Sequence, residues 1–186
     1  MKLAPRTLIR AAAPALAAGM LLTAFALPAA AQEPPGSWVT RSGSTVQLSA
    51  RSGVANGVSI GITPAGRLIV EDQAGIAAFS GCQRLPNSTT SADCGTGVTT
   101  LQISLGDNGD SLFISELVTA NASVSAGPGP DVILTGGGND TIVVRDGVRG
   151  NDSVNCDGNR PAGTDQVVAD LGDSVSLTTC ERRFFS

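Results

Sequence analysis

The sequence predicts an all-β protein built as a solenoid of short stacked coils, preceded by a small β-rich N-terminal region. Three observations predict it. Short runs in which apolar and polar residues alternate recur from residue 44 onwards, such as Val58-Ser59-Ile60-Gly61-Ile62 and Leu101-Gln102-Ile103-Ser104-Leu105. A period of two puts one set of side chains on a buried face and the other in water. Two nine-residue units then follow one another, Gly127 to Thr135 and Gly136 to Val144, each reading Gly-x-Gly-x-Asp and then a short strand. Finally, Asp110, Asp131, Asp152 and Asp173 are each 21 residues apart, and each is followed two residues later by an apolar residue: Leu112, Ile133, Val154 and Val175. A unit of this size cannot bury its apolar side alone, so units must stack.

The chain divides by composition. Lys2, Arg6 and Arg10 precede an apolar run from Ala11 to Leu27, and Ala29-Ala30-Ala31 follows before Gln32. That order of basic, apolar and small residues predicts a signal peptide over 1–31, and so an extracellular protein with no membrane attachment after cleavage. Residues 32–40 read as an extended linker, with Trp38 expected to be a packing residue. Residues 41–105 hold predicted strands at Ser44 to Ala50, Gly57 to Thr63, Arg67 to Glu71 and Thr99 to Leu105, either as the start of the solenoid or as a small β domain. The polar stretch from Gly81 to Gly97 reads as a loop. Residues 106–181 carry the repeats, and 182–186, with Phe184 and Phe185, read as a capping tail. The four Cys allow three disulfide connectivities. The local pairs Cys82–Cys94 and Cys156–Cys180 are expected, the first pinning the loop and the second locking the last coils.

Charge limits the partners. The predicted leader holds three of the 12 basic residues and none of the 16 acidic ones. The remaining chain sets nine Arg against all 16 acids, which disfavours nucleic acid and anionic lipid and suits cations. Residues 107–173 contain 11 of the acids and three Arg. The absence of His excludes His-based triads and the usual His-containing zinc sites.

The repeats suggest a chemistry. In the aligned units Gly127 maps to Gly136, Gly129 to Gly138 and Asp131 to Asp140. The glycines permit left-handed or tight backbone, so the turn can aim carbonyl oxygens at one point. The Asp adds a carboxylate, and hard oxygen ligands of this kind suit Ca²⁺. The ladder predicts one row of turns at 110, 131, 152 and 173 and another at Asp140 and Asp165, whose spacing is longer by an insertion around Asn159 to Ala162. Asp131 should therefore pair with Asp110 or Asp152, not with Asp140. Asp157 and Asp170 lie nearby in sequence.

These units resemble the hemolysin-type calcium-binding repeat, the nonapeptide Gly-Gly-x-Gly-x-Asp-x-apolar-x. Further motifs resemble small exported members of that family: Leu105-Gly106-Asp107-Asn108-Gly109-Asp110, Arg145-Asp146-Gly147-Val148-Arg149, Asp152-Ser153-Val154-Asn155-Cys156 and Cys180-Glu181. The chain departs from the pattern where Ala126 and Thr135 replace the first glycine and where Pro128 and Pro130 enter one turn. The resemblance implies a parallel β-roll with Ca²⁺ between stacked turns, held by turn carbonyls and the motif Asp. It implies a metal set of Asp110, Gly127, Gly129, Asp131, Gly136, Gly138, Asp140, Asp152, Asp165 and Asp173. The expected function is a secreted, non-catalytic binding or structural module stabilised by calcium, with a cell-wall or extracellular polymer as a possible further partner. The alternatives are a small polysaccharide lyase-like enzyme and a surface adhesin with vestigial metal sites.

Overall fold

The computed structural model describes residues 33–156 and 164–186. The expected signal peptide and the insertion at 159–162 lie outside the described residues. Residues 33–186 form one compact unit, and the region 41–105 shares both sheets with the repeats.

Sixteen strands and no helix occur among the described residues. They are β1 (Ser37–Ser42), β2 (Thr45–Ala50), β3 (Gly57–Ile62), β4 (Leu68–Asp72), β5 (Ile76–Ala78), β6 (Gln83–Arg84), β7 (Ser91–Asp93), β8 (Thr100–Ser104), β9 (Ser111–Ile114), β10 (Asn121–Ser125), β11 (Val132–Leu134), β12 (Thr141–Val143), β13 (Ser153–Asn155), β14 (Gln166–Ala169), β15 (Ser174–Val175) and β16 (Arg182–Phe185). They form two eight-stranded mixed sheets, ordered β16-β14-β12-β10-β8-β2-β1-β5 and β15-β13-β11-β9-β3-β4-β7-β6.

The two halves of each sheet are built differently. The first half uses antiparallel pairs, β1 with β2 and β3 with β4. The β1–β2 connection is two residues long, and Gly43 takes a φ of 60°, as a tight hairpin turn requires at its first position. From β8 onward, successive strands alternate between the sheets and every pairing among them is parallel. In the second sheet Ser111, Val132, Ser153 and Ser174 are register partners in turn, so the 21-residue period is a strand-to-strand step. The first sheet is irregular: Ser123 pairs with Thr141, Thr141 with Gln166, and Gln166 with Arg182.

The core lies between the sheets. Leu112, Ile133, Val154 and Val175 stack as one file, 1%, 1%, 2% and 8% exposed. In the other sheet Ile103, Val124, Ile142 and Val167 do the same, all buried. Early strands contribute two inward apolar residues, such as Leu101 with Ile103 and Leu112 with Ile114; β11, β12 and β13 contribute one each. β14 again contributes two, Val167 and Ala169.

Four expectations are corrected. The expected linker 32–40 contains the start of β1, because Ser37 and Val39 are buried against β2 and β5. Trp38 is not a packing residue: it alternates with those two and faces outward, 42% exposed. The expected loop 81–97 holds β6 and β7, and β7 docks on β4, which would otherwise be an open edge. Residues 182–185 are no tail but the strand β16, paired with β14. The disulfides are Cys82–Cys94 and Cys156–Cys180.

The file of inward residues sets an expected outcome. Ile133→Ala removes the middle of the file and should cost roughly 2–5 kcal/mol in denaturant unfolding. Val132→Ala, on the outward face of the same strand, should stay within about 0.5 kcal/mol.

Candidate functional site

The turns before the second-sheet strands carry the ladder. Each aspartate sits one residue before its strand, so its side chain points inward while its backbone remains at sheet spacing. Asp110, Asp131, Asp152 and Asp173 are 2%, 1%, 2% and 8% exposed. Their carboxylates join neighbouring turns of the second sheet. The N–H of Asp110 donates to Asp131 Oδ1 at 2.8 Å, that of Asp131 to Asp152 Oδ1 at 2.8 Å, and that of Asp152 to Asp173 Oδ1 at 3.4 Å. Asp131 thus lies between Asp110 and Asp152, while Asp140 belongs to the other row. There Asp140 donates its N–H to Asp165 Oδ1 at 2.7 Å, and Ala122 donates to Asp140 Oδ1 at 2.7 Å.

Sequence reasoning missed both continuations of these rows. Asn56 takes the ladder position before β3: its N–H donates to Asp110 Oδ1 at 2.7 Å, and its Nδ2 donates to the buried Asp72 Oδ2 at 2.7 Å. The signal was present, since Val58 follows Asn56 by two residues. It was hidden because β4 to β7 intervene and stretch the separation from Asp110 to 54 residues. At the other end Glu181 Oε2 accepts the N–H of Asp165 at 2.8 Å. Beside this row runs a polar strip: Asn121 Oδ1 accepts the N–H of Asn139, and Asn139 Oδ1 that of Thr164.

In Asp110, Asp131 and Asp152 only one carboxylate oxygen is used this way. The Oδ2 atoms of Asp110, Asp131 and Asp152 are buried with no hydrogen-bond partner, as is Asn151 Oδ1. Burial pushes the carboxyls of Asp110, Asp131 and Asp152 up to about 6; the donated N–H bonds oppose the rise and neighbouring carboxylates add to it. Asp146 behaves oppositely. Burial raises it, but donors from Val148, Gly129 and Asn151 outweigh that and hold it below the usual carboxylate range. Asp170 Oδ2 accepts the N–H groups of Asp146 and Gly147, and Asp170 donates its own N–H to Asp173 Oδ2.

The motif glycines are placed by the closeness of the coils. A Cβ on Gly127 would lie 1.8 Å from Gly106 O, and one on Gly129 1.7 Å from Asn108 O. Gly136 would meet Ser115 O at 2.4 Å and Gly138 would meet Ala120 O at 2.9 Å. The left-handed position recurs with the 21-residue step at Asn108, Gly129 and Gly150, with φ of 76°, 140° and 73°; Asn tolerates it better than most side chains. The carbonyls of Gly106 and Asn108 thus rest against the next coil, and that of Gly129 accepts Asn151 Nδ2 at 2.9 Å. Among the described residues no three His, Cys, Asp or Glu side chains converge as a metal-binding group.

No protein-family model matches this chain, and neither a curated protein nor a solved structure matches it. The likeness to the hemolysin-type repeat therefore rests on the motifs themselves.

Two outcomes follow from this geometry. Gly129→Ala should destabilise by more than about 2 kcal/mol, whereas Gly61→Ala, with open space at its Cβ, should stay within about 1 kcal/mol in the same unfolding assay. The ladder also fixes a pH dependence. Its three folded carboxyls titrate near 6 and their ordinary value is 3.8. The stability they contribute is full below about pH 4 and is lost as pH rises through 6. Near pH 5 the folded state should hold roughly two to three more protons than the unfolded chain. In chelator, the melting temperature should fall from pH 4.5 to 7, and Asp131→Asn should flatten that slope.

Proposed function

We propose that this chain is an exported calcium-binding repeat module, a parallel β-roll that serves as a binding or structural unit and not as a catalyst. The observation that carries the reading is the row of buried carboxylates at 110, 131 and 152. Each anchors one oxygen on a neighbouring coil and keeps a second, Oδ2, without a partner. A buried anionic oxygen without a donor is unfavourable, and a divalent cation supplies the missing positive charge.

The donor chemistry fits calcium. The chain has no His and all four Cys are in disulfides, so the side chains on offer are hard oxygens. Oδ2 of Asp131 and of Asp152 are the oxygens that would contact the ion. When bound, it supplies charge neutralisation between successive coils and so couples binding to folding. The parallel pairing from β8 onward supports the roll. Export is supported by the two disulfides, which belong to an oxidising environment, and by the leader-like segment; no helix among the described residues is long and apolar enough to cross a membrane.

The unbroken row of donated N–H bonds favours a second reading, in which the ladder is a metal-independent hydrogen-bonding spine. Each link needs only a backbone N–H and one carboxylate oxygen as its acceptor. The isosteric variants Asp131→Asn and Asp152→Asn separate the two, because they keep the Oδ1 acceptor and delete the charge. For the calcium module, titration calorimetry of chelator-treated protein should give saturable Ca²⁺ binding, with gain of β signal in circular dichroism. Each variant should weaken that binding roughly tenfold or more. No binding up to about 10 mM, with variants that melt above the parent at pH 7, would establish the spine.

A further inference from the structure

The two ends of the sheets differ. At the N-terminal end the chain between Cys82 and Cys94 folds over the edge, and Ile76 at the start of β5 donates its N–H to Thr89 O at 2.9 Å. At the C-terminal end β16 is the edge of the first sheet, with β14 as its one strand neighbour among the described residues.

The parallel register determines which groups of β16 are spent. Arg182 donates its N–H to Asp165 O at 3.0 Å and Ser186 to Ala169 O at 3.3 Å. Residues 182, 184 and 186 therefore turn their peptide groups towards β14, and Arg183 and Phe185 turn theirs outward. The side chains are also divided. Arg183 is the register partner of Val167, and Phe185 that of Ala169, both buried, so these two lie on the core side of the sheet. Arg183 donates to Ser176 O and Cys180 O and closes the core at its own layer. Phe185 is 42% exposed although it faces the core side, and Phe184, on the outer side, is 52% exposed. An open edge with exposed aromatic residues on both faces is a template for another strand.

We propose that two copies of this chain associate tail to tail, their β16 strands pairing antiparallel about a two-fold axis at Phe184. The sequence Arg-Arg-Phe-Phe is complementary to itself in that register. Arg183 falls opposite Phe185 of the second copy in both hydrogen-bonded pairs, and Phe184 falls opposite its own counterpart. Arg182 falls opposite Ser186. A register centred on Arg183 sets like charges against each other, which is destabilising. The covered N-terminal edge offers no matching surface for a head-to-tail contact, so assembly closes at two copies and does not run on as a filament. The pairing does not depend on calcium.

Sedimentation velocity of the purified protein from about 1 to 100 µM tests this, together with engineered cross-linking. The protein should shift from monomer towards dimer across that range. Phe184→Glu sets like charges opposite each other and should abolish the shift. Phe185→Pro should also abolish it, since it deletes an outward N–H and leaves the bonds to β14 intact. Residues facing each other in a non-hydrogen-bonded antiparallel pair have Cα atoms about 4.5 Å apart, within disulfide range. Phe184→Cys should therefore oxidise rapidly to a covalent dimer, and Phe113→Cys, equally exposed at 51% on the other sheet, should not. A monomer at every concentration, a dimer unaffected by Phe184→Glu, or Phe184→Cys cross-linking no faster than Phe113→Cys would each overturn the proposal.

Discussion

The hydrogen bond from a backbone N–H to the aspartate carboxylate of the next coil is the contact on which the rest of the structure depends. It runs from Asn56 through Asp110, Asp131 and Asp152 to Asp173 without a break. Because the acceptor is a short side chain, the bond forms only when consecutive turns stand at strand spacing, about 4.8 Å apart. That spacing carries the following residues into parallel register and drops Leu112, Ile133, Val154 and Val175 into one buried file. It also leaves no room for a side chain at Gly127 or Gly129. Ladder, glycines and core are thus three consequences of one inter-coil distance.

The ladder stabilises the stack and strains it electrostatically at once. A hydrogen bond to a charged acceptor contributes about 1.5–3 kcal/mol, but an ion buried away from water loses several kcal/mol of solvation. The upward-pushed carboxyls of Asp110, Asp131 and Asp152 show that desolvation outweighs the donated bonds for the ionised form. Each link uses a single Oδ1 as its acceptor, and an amide oxygen could serve the same N–H. What the carboxylate adds is a second anionic oxygen, and a role for that oxygen is what the calcium proposal provides. Under that proposal the exported chain meets its counter-ion only outside the cell, where the coils would then tighten.

The two ends of the core are finished differently. In the second sheet the inward apolar residues fall from two in β9 to one each in β11, β13 and β15, and exposure of the stacked file rises to 8% at Val175. The N-terminal end is finished by antiparallel hairpins and the Cys82–Cys94 disulfide. At the C-terminal end Cys156–Cys180 and Arg183 close the second-sheet side, while β16 keeps an outward row of peptide groups.

By itself the sequence determined the all-β class, four of the longer strands and the second-sheet ladder. Each of these depends on short-range periodicity, and a period of two or of 21 survives in a linear string. Tertiary structure alone decided the membership of Asn56 and Glu181 in the ladders, because the intervening β4 to β7 and the uneven first-sheet steps erase any fixed spacing. It decided the exposure of Trp38, since alternation says that one face is buried but not which. It placed β7 on the edge of β4 and made a strand of 182–185, because edge pairing is fixed by what lies alongside and not by local residue type. It also showed that the motif glycines serve the close approach of neighbouring coils, a role that the repeat pattern shares with turn geometry and that only the distance between coils separates from it.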